Sequence, residues 1–226
     1  MGNNTLGRID ARIFYRKTGR AKYISHLDLA RCMQRAVKRT GLPVWYTVGF
    51  NPRLYLGFAL PLPLGQESVC ETVDLCLMED IPFEEVLCRI NQALPVGIEG
   101  FAIAAPVHKP EAIAWAEYGL RLEADGCAGE VLREKFERFW GQERVEVEKK
   151  TKKGSRRIDL KSGIRLLGLE PESGCLCLRI QTEAGTSRNI NPTLLTDAFI
   201  QAEGLESPCV QVLRQAILME DGTSFC

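Results

Sequence analysis

The chain is short of several things that would narrow its function at once. It has only two histidines, His26 and His108, far apart in sequence, so no histidine-based metal site is expected. No apolar run reaches the ~18 residues that a membrane-spanning helix requires. Met1-Gly2-Asn3-Asn4-Thr5 carries no basic segment leading into an apolar one, so no secretory signal is read and a cytoplasmic protein is expected. Neither charge dominates. Lys and Arg number 29 and Asp and Glu 29, so nucleic acid is not attracted by bulk charge and only local patches can attract it. The phosphate-binding G-x-x-x-x-G-K-[ST], the zinc-protease H-E-x-x-H and a dinucleotide-binding G-x-G-x-x-G after a strand are all missing. So is the C-x-x-x-C-x-x-C loop that holds the cluster of radical S-adenosylmethionine enzymes. No set of carboxylates converges for acid–base work. No cofactor and no metal are expected.

What is present is a globular composition, 45% apolar and 26% charged. Nine cysteines are many, but the number is odd and no secretion signal is seen, so a disulfide framework is not expected. Cys70, Cys76, Cys88, Cys175, Cys177 and Cys209 lie in apolar or alternating runs, where Cys packs as a small hydrophobe. Cys175-Leu176-Cys177 is a C-x-C on one strand face, without a second pair at zinc-finger spacing.

Periodicity organises the chain. Ile9, Ala11, Ile13 and Tyr15 alternate as a strand. Leu29, Cys32, Met33, Ala36 and Val37 define one face of a helix over 25–40, stopped by Gly41. Strands are expected at 44–48, 54–60, 72–77 and 98–104, with a helix at 82–94. After a polar step between Pro106 and Pro110 the order recurs. Strands are read at 118–122, at Val145 and Val147, at 164–169, 176–180 and 210–218. Helices are read at 130–140 and after Asn191-Pro192, an N-cap followed by Pro at the first helical position. Each half approximates βαββαβ. The expected fold is α+β, with two tandem ferredoxin-like (split βαβ) domains, residues 1–108 and 109–226, each with an antiparallel sheet.

Three segments stand out as candidate surfaces. Ser25-His26-Leu27-Asp28 reads as a capping box, with Ser25 taking the Asp28 amide and the Asp28 carboxylate reaching back to the Ser25 amide. Asp28, Arg31, Arg35 and Lys38 follow at helical spacing and form a stripe on one face, to which Arg39 and Arg53 add. Lys149-Lys150-Thr151-Lys152-Lys153-Gly154-Ser155-Arg156-Arg157, extended by Lys161, reads as a basic hairpin with Gly-Ser near its tip. Such a hairpin can follow a nucleic-acid backbone by charge.

Tyr23-Ile24-Ser25-His26-Leu27-Asp28 with Arg31, Gly41-Leu42-Pro43 and Gly49-Phe50-Asn51-Pro52 follow one another in a distinctive order. Phe58-Ala59-Leu60-Pro61-Leu62-Pro63-Leu64-Gly65, Glu67-Ser68, Glu71 and Asp74 complete it. Over about residues 10–80 this pattern resembles the bacterial radical-SAM-linked proteins, which occur free or as C-terminal extensions of radical S-adenosylmethionine proteins. Arg53-Leu54 stands where that family often has His-Pro, so the turn supplies no histidine here. The resemblance implies a non-catalytic partner of a radical S-adenosylmethionine protein that presents a macromolecular substrate.

Three functions follow as expectations. The first is a module that binds RNA through Ser25, His26, Asp28, Arg31, Arg35, Lys38, Phe50, Asn51 and Arg53, with Lys149, Lys150, Lys152, Lys153, Arg156 and Arg157 as a second surface. The second is an enzyme acting on RNA or a small phosphorylated substrate, with His26 as acid or base and Arg53 as anion clamp. The third is a protein-only scaffold that docks on the radical enzyme.

Overall fold

The computed structural model describes residues 7–151, 154–185 and 188–225; the side chains of 149–151, 155 and 156 are outside the description. The chain divides into two compact units. One runs to Ala112 and takes in Phe225; the other is Ile113–Ser224. The architecture is α+β, with antiparallel strand pairing and four α-helices among the described residues. No described helix is long and apolar enough to cross a membrane.

In the first unit the order is β1 (Ile9–Lys17), α1 (His26–Arg39), β2 (Gly57–Phe58), β3 (Glu67–Leu77), α2 (Phe83–Ala93) and β4 (Ile98–Ala104). β1 lies between β3 and β4, and β2 pairs with β3. Alternation places Ala11, Ile13 and Tyr15 of β1 beside Val73, Leu75 and Leu77 of β3 in the core. There they meet Leu29, Met33 and Val37 of α1 and Val86 and Ile90 of α2. The opposite phase of β1 carries a charge. Arg12 is directly across from Asp74, and its guanidinium grips both carboxylate oxygens at 2.7 and 2.8 Å. Its other side lies over the Phe225 ring, 4.6 Å from the centroid.

The expected strands at 44–48 and 54–60 do not form as such. Val44 and Tyr46 make single bridges, to Leu77 and Leu54, and only Gly57–Phe58 is regular. Pro43, Pro52, Pro61 and Pro63 each remove a ladder donor, and Gly49 sits at φ +148°, so a continuous ladder cannot run. The chain instead makes an irregular hairpin. Thr47 donates its amide to the Arg53 carbonyl, and Tyr55 donates to Trp45. β3, in contrast, begins five residues before the expected 72. Its first half buries Ser68, Glu71 and Thr72, polar residues that interrupt the apolar alternation.

The second unit runs β5 (Ile113–Glu123), α3 (Gly129–Trp140), β6 (Glu146–Thr151), β7 (Gly154–Asp159), β8 (Ile164–Glu172), β9 (Cys175–Glu183), α4 (Thr193–Glu203) and β10 (Cys209–Met219). Its ladder order is β10-β5-β9-β8, with β6 and β7 a separate hairpin. Leu120, Leu122, Leu176, Leu178 and Ile180 are buried in it. Phe136 packs edge-on against Phe199 at 5.1 Å and stacks with Trp140 at 6.3 Å, which ties α3 to α4. The α4 helix starts one residue later than Asn191-Pro192 implies, but Asn191 Oδ1 still accepts the Thr193 amide at 3.3 Å.

Candidate nucleic-acid interface

The site begins with the cap of α1. Ser25 Oγ accepts the Asp28 amide at 3.2 Å, the first half of the expected capping box. The second half differs. The Asp28 carboxylate does not return to the Ser25 amide; it accepts from the Ser25 hydroxyl at 2.7 Å and from Arg31 at 3.0 Å. Those two donors, the hydroxyl first, hold the Asp28 carboxyl below its ordinary range.

Beyond the cap, Asp28, Arg31, Cys32, Arg35 and Arg39 line one concavity of about 350 Å³. At about 100° per residue, positions 28, 32, 35 and 39 fall in one narrow sector, with 31 and, about 20° further round, 38 on the same side of it. Lys38 lies over the Tyr46 ring at 5.8 Å and is not among the residues that line the concavity, whereas Arg39 is. The three arginines are not equivalent. Arg31 is paired with Asp28, and Arg39 donates to the Ala93 carbonyl. Arg35 is exposed and has no hydrogen bond or ion pair among the described residues. A planar, always-charged guanidinium left open between two others is suited to bidentate capture of a phosphate or carboxylate.

The hairpin tip projects next to this helix through the Lys38–Tyr46 contact. Phe50 and Val48 are almost wholly exposed, and Asn51 and Arg53 face solvent. The Arg53 backbone is fixed, its amide donating to Thr47 Oγ1 at 3.0 Å.

His26 goes elsewhere. No contact joins it to Arg53 among the described residues. It is half-buried, edge-on to Phe58 at 5.1 Å, and its Nδ1 is buried without a hydrogen-bond partner. Burial lowers its pKa, with Glu71 opposing that shift and Lys17 adding to it. Both of those residues are buried. Lys17 donates to the Ile24 carbonyl at 2.9 Å, and Tyr15 and Glu71 are directly opposite in the β1–β3 ladder. Tyr15, Lys17, Ser68 and Glu71 thus form a buried polar group next to the start of α1. Sequence reading did not find it. The one signal was the loss of apolar alternation where β1 ends and β3 begins.

In the second unit the basic segment is a hairpin. Lys149 pairs with Arg156, Lys150 with Ser155 and Thr151 with Gly154. Gly154 and Ser155 are the first two residues of β7, paired with Thr151 and Lys150; Lys152 and Lys153 lie outside the described residues. Arg157 is opposite Glu148, and Lys161 is engaged by the Gln142 carbonyl and the Trp140 ring. Below the hairpin a groove of about 900 Å³ runs along α4, with Val145, Val147 and Leu194 among apolar lining and Arg144, Glu146 and Asp197 among charged lining. Burial pushes the Asp197 carboxyl up. Carboxylates outnumber cations along this groove, whereas the concavity on α1 sets three arginines against one carboxylate.

The eight described cysteines are free thiols. Cys175 and Cys177 do not stand as an isolated C-x-C. Glu172 joins them, and the three ligand atoms lie within 4.8 Å of one another. Glu172 comes from the β8 side of a tight hairpin, where Ser173-Gly174 turns the chain, so only the register brings it close.

Comparisons with known proteins give a family and a distant likeness of shape. No curated protein matches the chain. A Cbf5-Nop10-Gar1 complex structure is similar at 13% identity and TM-score 0.47, over 92% of this chain and 48% of that one. An archaeal box H/ACA sRNP Nop10-Cbf5 complex is similar at 13% identity and TM-score 0.41, over 90% and 46%. A protein from Galdieria sulphuraria gives 14% identity and TM-score 0.27, over 92% and 98%. The chain spans about half the length of the first two, and likeness at these scores carries no argument about function. Residues 11–192 match the family described as an uncharacterized protein conserved in bacteria, DUF2344, and the protein belongs to that family.

Proposed function

We propose that this protein is a cytoplasmic accessory module that binds RNA on the arginine face of α1 and presents it to a radical S-adenosylmethionine protein. The observation that carries the reading is Arg35, exposed and without a partner among the described residues, on one concavity with Arg31 and Arg39. RNA fits better than an acidic protein because exposed aromatic rings stand on the same unit. Phe50 is open at the hairpin tip, Tyr23 is exposed one turn before α1, and Tyr46 is paired with Lys38. Phosphate capture by arginine with base stacking on aromatic rings is the usual way of holding single-stranded RNA. The β6–β7 hairpin, with Lys149, Lys150, Lys152, Lys153, Arg156 and Arg157, is a second, electrostatic contact. The two units are taken as tandem ferredoxin-like domains, residues 1–108 and 109–226, since both share the chain order βαββαβ once the hairpin is set aside.

A second reading is favoured by one observation. Tyr23, Leu27 and Leu64 are large, exposed apolar side chains, and the Gly65 amide on the Lys22 carbonyl ties their segments together. Such a patch fits a protein partner, as a scaffold would require. Ultraviolet crosslinking of the tagged protein in its native cells separates the two. Recovery of a defined RNA, lost in Arg31→Glu/Arg35→Glu, is expected; protein partners with no RNA above background would leave only the scaffold.

A further inference from the structure

The hairpin between β8 and β9 brings together three side chains that the RNA reading does not use. Glu172 and Cys175 are directly opposite in the ladder, and Cys177 follows two residues along on the same strand face. The Cys175 and Cys177 sulfurs are 4.0 Å apart, and Cys175 Sγ is 3.6 Å from Glu172 Oε2. In a tetrahedral zinc site, bond lengths of about 2.3 Å to sulfur and 2.0 Å to oxygen give edges of roughly 3.8 Å between sulfurs and 3.5 Å between sulfur and oxygen. The spacing on the hairpin is within a few tenths of an ångström of both. We propose that Glu172, Cys175 and Cys177 form a three-ligand site for a thiophilic divalent ion of the zinc class, with the fourth position left to water or a ligand.

The donor set selects the ion. Two thiolates exclude magnesium and calcium, which prefer oxygen, and suit zinc. Arg121 supplies the outer partner: its guanidinium holds Glu172 at 2.7 Å and Glu123 at 3.0 Å. Two thiolates and a carboxylate leave a surplus negative charge on a divalent ion, and the Arg121 charge offsets it. A thiol ligates such an ion as its thiolate, so each cysteine gives up its proton to the solvent on binding. Binding is therefore an exchange in which one ion enters, two sulfur–metal bonds form and two protons leave.

The test is a titration of the reduced, metal-stripped full chain with Co²⁺ alone, followed by Zn²⁺. One equivalent of Co²⁺ with a sulfur-to-cobalt charge-transfer band, displaced by Zn²⁺ and accompanied by release of two protons, is expected. Cys177→Ser removes stoichiometric binding and Arg121→Gln weakens it by about tenfold; Cys209→Ser, at an exposed thiol outside the group, leaves it intact. Far-UV circular dichroism shows whether each variant keeps its fold. If Cys177→Ser unfolds, Glu172→Gln serves in its place. A parent chain without the band, or a folded Cys177→Ser that keeps it, overturns the site.

Discussion

Removing the Asp74 carboxylate is expected to cost far more than removing an ordinary surface charge. Arg12 is only 2% exposed and Asp74 18%, and the guanidinium makes two hydrogen bonds to that one carboxylate. Asp74→Ala therefore strands a buried cation beside the Phe225 ring. Breaking a buried pair by deleting one partner costs about 3–5 kcal/mol, whereas replacing both by apolar groups is often neutral. Water can reach the pair from the Asp74 side, which places the expectation near 3 kcal/mol. Against a typical total of about 5–15 kcal/mol this is a large loss. For a chain of this size it corresponds to a fall in Tm of roughly 6–12 °C. Urea denaturation followed by circular dichroism measures it, with Arg12→Met/Asp74→Leu as the companion variant. The double variant is expected to recover most of the loss. A cost below about 1 kcal/mol for Asp74→Ala, a value typical of exposed pairs, would refute the claim that the pair is desolvated.

Three further outcomes are expected. His26 has a folded pKa lowered from 6.5, so the unfolded chain takes up its proton first and stability is lost as pH falls below about 6.5, down to the folded pKa. Denaturation midpoints between pH 5 and 8 should show this slope, and His26→Gln should flatten it. A Cβ at position 129 would run into the Glu172 and Cys175 carbonyls, so Gly129→Ala should destabilise by about 1–3 kcal/mol through overpacking, read by thermal melting. Iodoacetamide at pH 7.5 should modify the exposed thiols of Cys88 and Cys209 well before Cys177, by peptide mass mapping; equal rates would contradict the burial and raised pKa of Cys177.

How much was legible in the sequence depended on whether one face of an element carried one kind of residue. α1 was readable because Leu29, Met33, Ala36 and Val37 repeat at helical spacing between a Ser cap and Gly41. The basic hairpin was readable from its charge run. The first half of β3 was not, because burying Ser68, Glu71 and Thr72 erases the alternation that marks a strand. The turn-rich stretch from Pro43 to Pro63 misled in the opposite direction: apolar residues suggested strands where prolines deny the hydrogen bonds. At the site, the arginine stripe and Arg39 beside it were visible, but not that Arg39 rather than Lys38 lines the concavity. Lys38 and Arg39 are neighbours in sequence, and only the helix phase and the Tyr46 ring separate their roles. Glu172 was invisible beside Cys175 because its closeness is a matter of hairpin register.

The central claim is that the α1 arginines bind phosphates of RNA, and the salt dependence of binding tests it most directly. Fluorescence anisotropy of a labelled single-stranded RNA, titrated at several salt concentrations, gives the slope of log K against log salt. Each phosphate contact on a single strand contributes about −0.7 to that slope. Arg31→Gln/Arg35→Gln should therefore weaken binding and make the slope shallower by roughly 1.4. Unchanged affinity and slope in that variant, with its fold intact, would contradict the account.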